Sequence, residues 1–450
     1  MTVPGTAVVP VADVGTVVEV GALEVVDAGS TAPSLHPAAS TIATAACQRT
    51  RTRPSLADAA TTACGTLPSM AQLKQDKVDQ LLTRAQREVN DGLLPSCQVA
   101  LAIDGNVEVF ETFGDANNET RYAIFSSTKA FVAGAIWVLI GEGKVDIGKR
   151  VADYIPEFAA NDKGDITVEQ VMLHTSGFPH APMDFVSGST SEGRTRNFAK
   201  WKLNWEPGTS YEYHATSAHW VLAEIIERVT GEDFRDFVET RITRPAGIDR
   251  RVLGVARDDQ ANVATLVNVG EPATPEELKA ALGVTELPVT EVTPDALMSF
   301  NAPEVREVGV PGGGGLMTAA DITTYYQALL LNPECPSGTG SGKHRIWDAD
   351  VLRDATGNVR SMVPERWFKL PASRALGVVV AGDDGLGNMR GFGKTGSPRM
   401  FGHGGAGGQI AWADPDTGLS FGYTTNGMDQ HTLRQARRGV ALSSIAAECA

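Results

Sequence analysis

Residues Ala130 to Ile140 are apolar without interruption. Wound into a helix, such a stretch leaves no face for water, so it must be buried whole. It is too short to cross a bilayer, which takes about 20 residues, and no other segment reads as transmembrane. The rest of the chain must therefore wrap around this helix. With 450 residues, 42% of them hydrophobic and 21% charged, the composition is that of a globular protein able to do so.

Four polar residues, Ser126-Ser127-Thr128-Lys129, stand at the entrance to this buried helix. Capping accounts for Ser and Thr, whose oxygens satisfy the open N–H groups of a first turn. It does not account for Lys129. On a helix Ser126 and Lys129 are at i and i+3, on one side, and the amine can reach the hydroxyl. Serine is a weak nucleophile until a neighbour takes its proton, and an apolar setting favours a lysine able to do so. The S-x-x-K pattern is short enough to occur by chance, so it needs support from elsewhere in the chain.

Patterning elsewhere gives an outline of the fold. Leu73 to Asn90 reads as a helix; Cys97 to Ile103 and Val107 to Thr112 read as a β-hairpin around Asp104-Gly105-Asn106. Leu376 to Ala381, Gln409 to Ala413 and Leu419 to Thr425 read as strands. Strands near both ends with helices between them predict one antiparallel sheet closed by N- and C-terminal parts, an α+β arrangement. Residues 1–68, rich in Ala, Val, Thr and Pro and without an aromatic residue, are expected to form a low-complexity extension outside the core. They lack the early positive charge of a secretory signal, and a cytoplasmic location is expected.

The net charge of −15 argues against nucleic-acid or anionic-membrane partners. The basic run Arg434 to Arg438 reads as a solvated helix face. Five scattered cysteines without C-x-x-C spacing suggest neither a disulfide framework nor a zinc site. His174 and His214 read as structural, with no H-E-x-x-H pairing to suggest a metal.

Two further stretches carry chemistry. Trp205 to His214 turns at Pro207-Gly208 and delivers two tyrosines to the start of a helix-like segment, Ala218 to Val229. Beside a serine and a lysine, a phenol can relay a proton to a leaving group, with Tyr213 the first candidate and Tyr211 the second. The stretch Gly391 to Gly408 admits several readings. Gly391, Gly393 and Gly396 match the dinucleotide fingerprint, but no strand precedes them and Ser397-Pro398 breaks any helix after them. A phosphate loop ending at Gly393-Lys394 needs glycine at 388, where the chain has Asn388. His403-Gly404-Gly405, just before the strand-like Gln409 to Ala413, remains as a glycine-rich strand edge that a substrate can approach closely. Lys394-Thr395-Gly396 lies in the loop before it.

In chain order, Ser126-Ser127-Thr128-Lys129, Pro207-Gly208-Thr209 with Tyr213, and His403-Gly404-Gly405 resemble the motifs of the serine β-lactamase and penicillin-binding-protein superfamily. The likeness is strongest to its class C branch and the related family VIII carboxylesterases. Ile166 to Phe178, Val151 to Phe158 and Pro311 to Leu316 support it, and it runs from about residue 75 to 445. The resemblance implies an α/β sandwich of β-lactamase/transpeptidase type, an antiparallel sheet flanked by helices beside a mainly helical subdomain, within residues 69–450. It implies acyl transfer: Ser126 attacks a carbonyl, Lys129 and Tyr213 move protons, and His403 sits beside them. The oxyanion would be held by the N–H groups of Ser126 and Ala406, with Gly404 and Gly405 along the substrate, and neither metal nor cofactor would be needed. Two departures bear on substrate. Ala215 stands where the lactamases place an asparagine amide, and His403 where they place a lysine, so a neutral ester of short or medium chain is expected. A D-amino-acid peptidase, a weak β-lactamase and a non-catalytic sensor remain as alternatives.

Overall fold

The structure is a computed structural model that describes residues 72–287, 292–332 and 345–450. The expected low-complexity extension, residues 1–68, lies outside the described residues. Six strands form the main sheet: β1 (Ser96–Ile103), β2 (Asn106–Gly114), β3 (Val379–Val380), β4 (Phe401–Gly402), β5 (Ile410–Asp414) and β6 (Leu419–Thr425). Their spatial order is β2-β1-β6-β5-β4-β3, every neighbouring pair antiparallel. The N-terminal hairpin thus pairs with the C-terminal strands, as the sequence pattern predicts.

Five helices matter for the site: α1 (Gln75–Asn90), α2 (Thr128–Gly141), α3 (Ser217–Thr230), α4 (Ala319–Leu331) and α5 (Thr432–Ala447). Helices α1 and α5 pack together on one face of the sheet and α4 packs on the other. Strand side chains alternate in size to suit. Val99, Leu101, Ile103, Trp412, Phe421 and Tyr423 meet α1 and α5 in one apolar cluster, because successive side chains point to opposite faces. On the α4 side stand Ala100, Ala102 and Gly422, and a Cβ at Gly422 would lie 2.5 Å from the Ala319 carbonyl oxygen. Small residues there let α4 lie close, where Gln327 donates to Ala102 O and Gly418 O.

Helix α2 is buried from Thr128 through Leu139 and packs against α3 in the second, largely helical core. This is the burial its apolar sequence demands. Gly134 is a contact point: a Cβ there would come within 2.6 Å of the Tyr325 hydroxyl, which donates to Ala130 O. No described helix is long and apolar enough to cross a membrane.

Three expectations need correction. The strand expected over Leu376 to Ala381 is only Val379–Val380, because Gly377 and Gly382 take φ of +84° and +76° and turn the chain at either side. Ser126 does not open the α-helix; it sits in a 3₁₀ turn, Phe125–Ser127, that leads into α2. The run Arg434 to Arg438 is solvated only in part, at the exposed Arg437. Arg438 is buried and donates to Glu88 on α1 at 2.6 Å and to Asp429 at 2.8 Å, while Arg434 pairs with Asp429 at 2.6 Å. The Arg438–Glu88 pair ties α5 to α1.

Candidate active site

The turn carrying Ser126 is wedged between two glycine-rich segments. Phe125, just before it, holds φ of +44°, a left-handed conformation unusual for an aromatic residue. On one side, Gly315 N donates to Thr128 Oγ1 at 2.9 Å, fixing the loop Pro311 to Gly315 against the start of α2. On the other, a Cβ at Gly405 would overlap the carbonyl oxygen of Ile124, so only glycine lets His403-Gly404-Gly405 and Ala406 close on the Ser126 turn. His403 N donates to Ala411 O at 3.0 Å and Gly405 N to Gln409 O at 3.0 Å, which makes the His-Gly-Gly segment a continuation of the sheet edge.

That overlap has a measurable consequence. Gly405→Val is expected to push the segment off the turn and to destabilise the fold by about 1–3 kcal/mol, the usual cost of overpacking. The check is urea unfolding, with a Gly404→Ala variant as comparison, because a Cβ at Gly404 comes no nearer than 3.4 Å to another atom.

Lys129 is fully buried. Its Nζ lies 3.2 Å from Ser126 Oγ, 2.8 Å from Ala215 O and 2.6 Å from Gly312 O. Ala215, which lacks an amide side chain, contributes its carbonyl. Gly312 is tight as well, since a Cβ there would be 3.4 Å from Lys129 Nζ. The ring of Tyr213 lies 5.0 Å from Nζ, measured to its centroid. The structure thus brings together Ser126, Lys129 and Tyr213, with His403 5.8 Å from the Tyr213 ring, centroid to centroid. Tyr211 lies beside Arg374, its hydroxyl accepting from Arg374 Nε at 3.1 Å.

His403 is buried and held neutral. Its Nδ1 lies 2.8 Å from Gly404 O and its Nε2 3.3 Å from Arg374 Nη1. Those partners define the tautomer: Nδ1–H donates to the carbonyl and Nε2 accepts from the guanidinium. Burial, with Arg374 close by, pushes its pKa well below the usual histidine value. Arg374 also lies over the Tyr213 ring at 5.3 Å. Nothing in the sequence around Arg374 marks it; it reaches the site only because a hairpin pairs it with Ser361. Lys394 is exposed, in a loop whose backbone N–H bonds Ser444 of α5. The cation beside His403 is Arg374.

Three more histidines sit behind Tyr213. His174, at φ of +58°, accepts from His214 N at 3.2 Å and packs 4.8 Å from the Tyr213 ring. His214 accepts from Phe178 N at 3.2 Å and donates to Glu212 O at 2.7 Å. With His219 they are buried and neutral, pushed down chiefly by desolvation, His214 to about 3. Among the described residues no group of His, Cys, Asp or Glu side chains is arranged to hold a metal.

The antiparallel sheet between helical layers, with a serine-lysine pair at the mouth of a buried helix, defines the β-lactamase/transpeptidase-like fold. The Beta-lactamase family model matches residues 76–444, and the chain belongs to that family. It is a hydrolase of that fold. It is similar to the esterase/beta-lactamase LipL of Mycobacterium tuberculosis, 26% identical over 352 residues, 73% of this chain and 76% of the relative. It is also similar to a putative D-alanyl-D-alanine carboxypeptidase of Escherichia coli, 27% identical over 343 residues, 69% of this chain and 70% of the relative. Among solved structures, a family VIII carboxylesterase superposes with a TM-score of 0.66 and 25% identity, covering 85% of this chain and all of that one.

Proposed function

We propose that the protein is a carboxylesterase that cleaves neutral esters of short or medium chain through an acyl-enzyme on Ser126. The observation that carries this reading is the placement of Lys129 Nζ. As a neutral amine it has two N–H groups, which Ala215 O and Gly312 O accept, and one lone pair, which then faces Ser126 Oγ at 3.2 Å. Lys129 takes the hydroxyl proton as Oγ bonds to the ester carbonyl carbon. The oxyanion is held by the N–H groups of Ser126 and Ala406, an assignment supported by the close approach of Gly405 to Ile124 O beside the Ser126 turn. Collapse breaks the bond to the alcohol, which leaves with a proton delivered through Tyr213. Water then attacks the acyl-enzyme and gives a proton to the Tyr213–Lys129 pair; the bond from the acyl carbon to Ser126 Oγ breaks, that proton passes to Oγ, and the acid is freed. Gly404 and Gly405 run beside the substrate, and neutral His403 offers no charge of its own.

A second reading, an amidase or peptidase acting on D-amino-acid substrates, is favoured by Arg374. Its guanidinium stands where a substrate carboxylate would find a cation beside His403. The two are separated by turnover of p-nitrophenyl esters, a D-alanyl peptide and a chromogenic cephalosporin, each with wild type and Ser126→Ala. Ester hydrolysis that falls by about 10³-fold or more in the variant is the expected result. Strong peptide or cephalosporin turnover with negligible ester cleavage would overturn the ester preference. A persistent adduct on Ser126 without turnover, seen by intact mass, would make the protein a sensor.

A further inference from the structure

A cleft of about 170 Å³ opens beside Tyr213, Arg374 and His403 and runs along the edge of the His403 to Ile410 segment to α5. Leu370, Met389, Phe392, Ile410, Trp412 and Val440 give it an apolar lining, interrupted by Glu365, Asn388, Arg390 and Gln435. Ser126 and Lys129 do not line it.

Gly439, in the middle of α5, also faces this cleft. Glycine inside a helix costs about 1 kcal/mol relative to alanine, and here neither packing nor backbone requires it. A Cβ at Gly439 would meet nothing within 4 Å, and its φ is not positive. Among the described glycines with that much room, Gly92, Gly143, Gly231, Gly283, Gly385, Gly391 and Gly418 all hold positive φ, and Gly357 closes a helix. Gly134, inside α2, is packed against the Tyr325 hydroxyl. Gly439 is left without a structural reason, and what its missing side chain preserves is the volume of the cleft.

We infer that this cleft takes the alkyl or aryl portion of the substrate's alcohol, and that Gly439 sets how long that portion can be. The inference rests on the ester reading above. The alcohol is assigned because the cleft joins the site at Tyr213 and His403, on the side where the leaving oxygen is protonated, and not at Ser126, where the acyl group is bound. An apolar chain lying against these side chains gains affinity with each methylene removed from water.

The test uses two ester series with the full-length protein. One holds the acetyl group and lengthens the alcohol from ethyl to octyl; the other holds p-nitrophenol and lengthens the acyl group. In wild type, kcat/KM is expected to rise along the alcohol series. Gly439→Leu is expected to lower the octyl-to-ethyl ratio by about 10- to 100-fold, the worth of a few buried methylenes, with little change along the acyl series. Gly439→Ala, which fits the same helix, should melt higher than wild type and lower the ratio less. Binding of 1-octanol, followed by calorimetry, is read without turnover: wild type binds it and Gly439→Leu does not. An unchanged ratio, an effect confined to the acyl series, or wild type that fails to bind 1-octanol overturns the proposal. Absence of all ester hydrolysis would instead sink the ester reading, with octanol binding still deciding the cleft.

Discussion

Lys129→Ala is expected to lower ester turnover by about 10²- to 10⁴-fold, the range for loss of a positioned proton acceptor, and to destabilise the fold at the same time. The second effect follows from the same geometry as the first. With the amine gone, the buried carbonyls of Ala215 and Gly312 lose the donor now at 2.8 and 2.6 Å. An unsatisfied buried acceptor costs about 1–3 kcal/mol, so a loss of about 2–6 kcal/mol is expected, measurable by urea unfolding. Lys129→Arg separates the roles. A guanidinium donates to carbonyls but does not give up its proton near neutral pH, so the arginine variant should recover part of the stability and none of the turnover. A lysine that merely holds the carbonyls would leave kcat unchanged, below the melting temperature, in both variants.

Local pattern carried the parts of this protein that local physics decides. The apolar run of α2 forces burial on all sides, the strand-like runs of β1 and β6 mark the two ends of the chain that close one antiparallel sheet, and i, i+3 spacing places Lys129 beside Ser126 even though Ser126 lies in a 3₁₀ turn. What local pattern could not carry depends on partners far along the chain. Arg438 reads as solvated because its neighbours are basic and helix-forming, yet it is buried by Glu88, which lies 350 positions away. Arg374 has no motif and meets His403 across 29 positions. Its arrival bears on the substrate argument, since the cation missing from position 403 is restored by another residue. Ala215 matters through its carbonyl, which every residue type has and no substitution pattern reveals. The expected strand over Leu376 to Ala381 failed for a local reason, because two glycines at positive φ shorten it where residue type alone suggested continuation.

Acid should unfold this protein from an unusually high pH, and the histidines behind Tyr213 are the reason. His174, His214, His219 and His403 are buried, and desolvation comes first among the causes that hold each well below its ordinary pKa, to about 3 for His214. Arg374 adds repulsion at His174, His219 and His403, so protonation in place would put another positive charge near a buried cation. In the unfolded chain each histidine titrates near its free value of about 6.5. The unfolded state therefore binds more protons than the folded one below that pH, and stability falls as pH falls, by about 1.4 kcal/mol per pH unit for each histidine. Between pH 7.5 and 5.5 four such groups cost together about 5 kcal/mol, a large part of the roughly 5–15 kcal/mol typical of a folded domain. Paired carboxylates such as Asp429 and Glu88, held below their usual range, remain ionised over this interval and do not offset it. Urea unfolding at the two pH values gives the difference directly. His214→Gln, which keeps an acceptor for Phe178 N, should lower stability at pH 7.5 but reduce its fall to pH 5.5 by about a quarter. Equal stability of the wild type at both pH values would mean that these rings gain compensating partners on protonation, and the neutral tautomer assigned to His403 would fall with them.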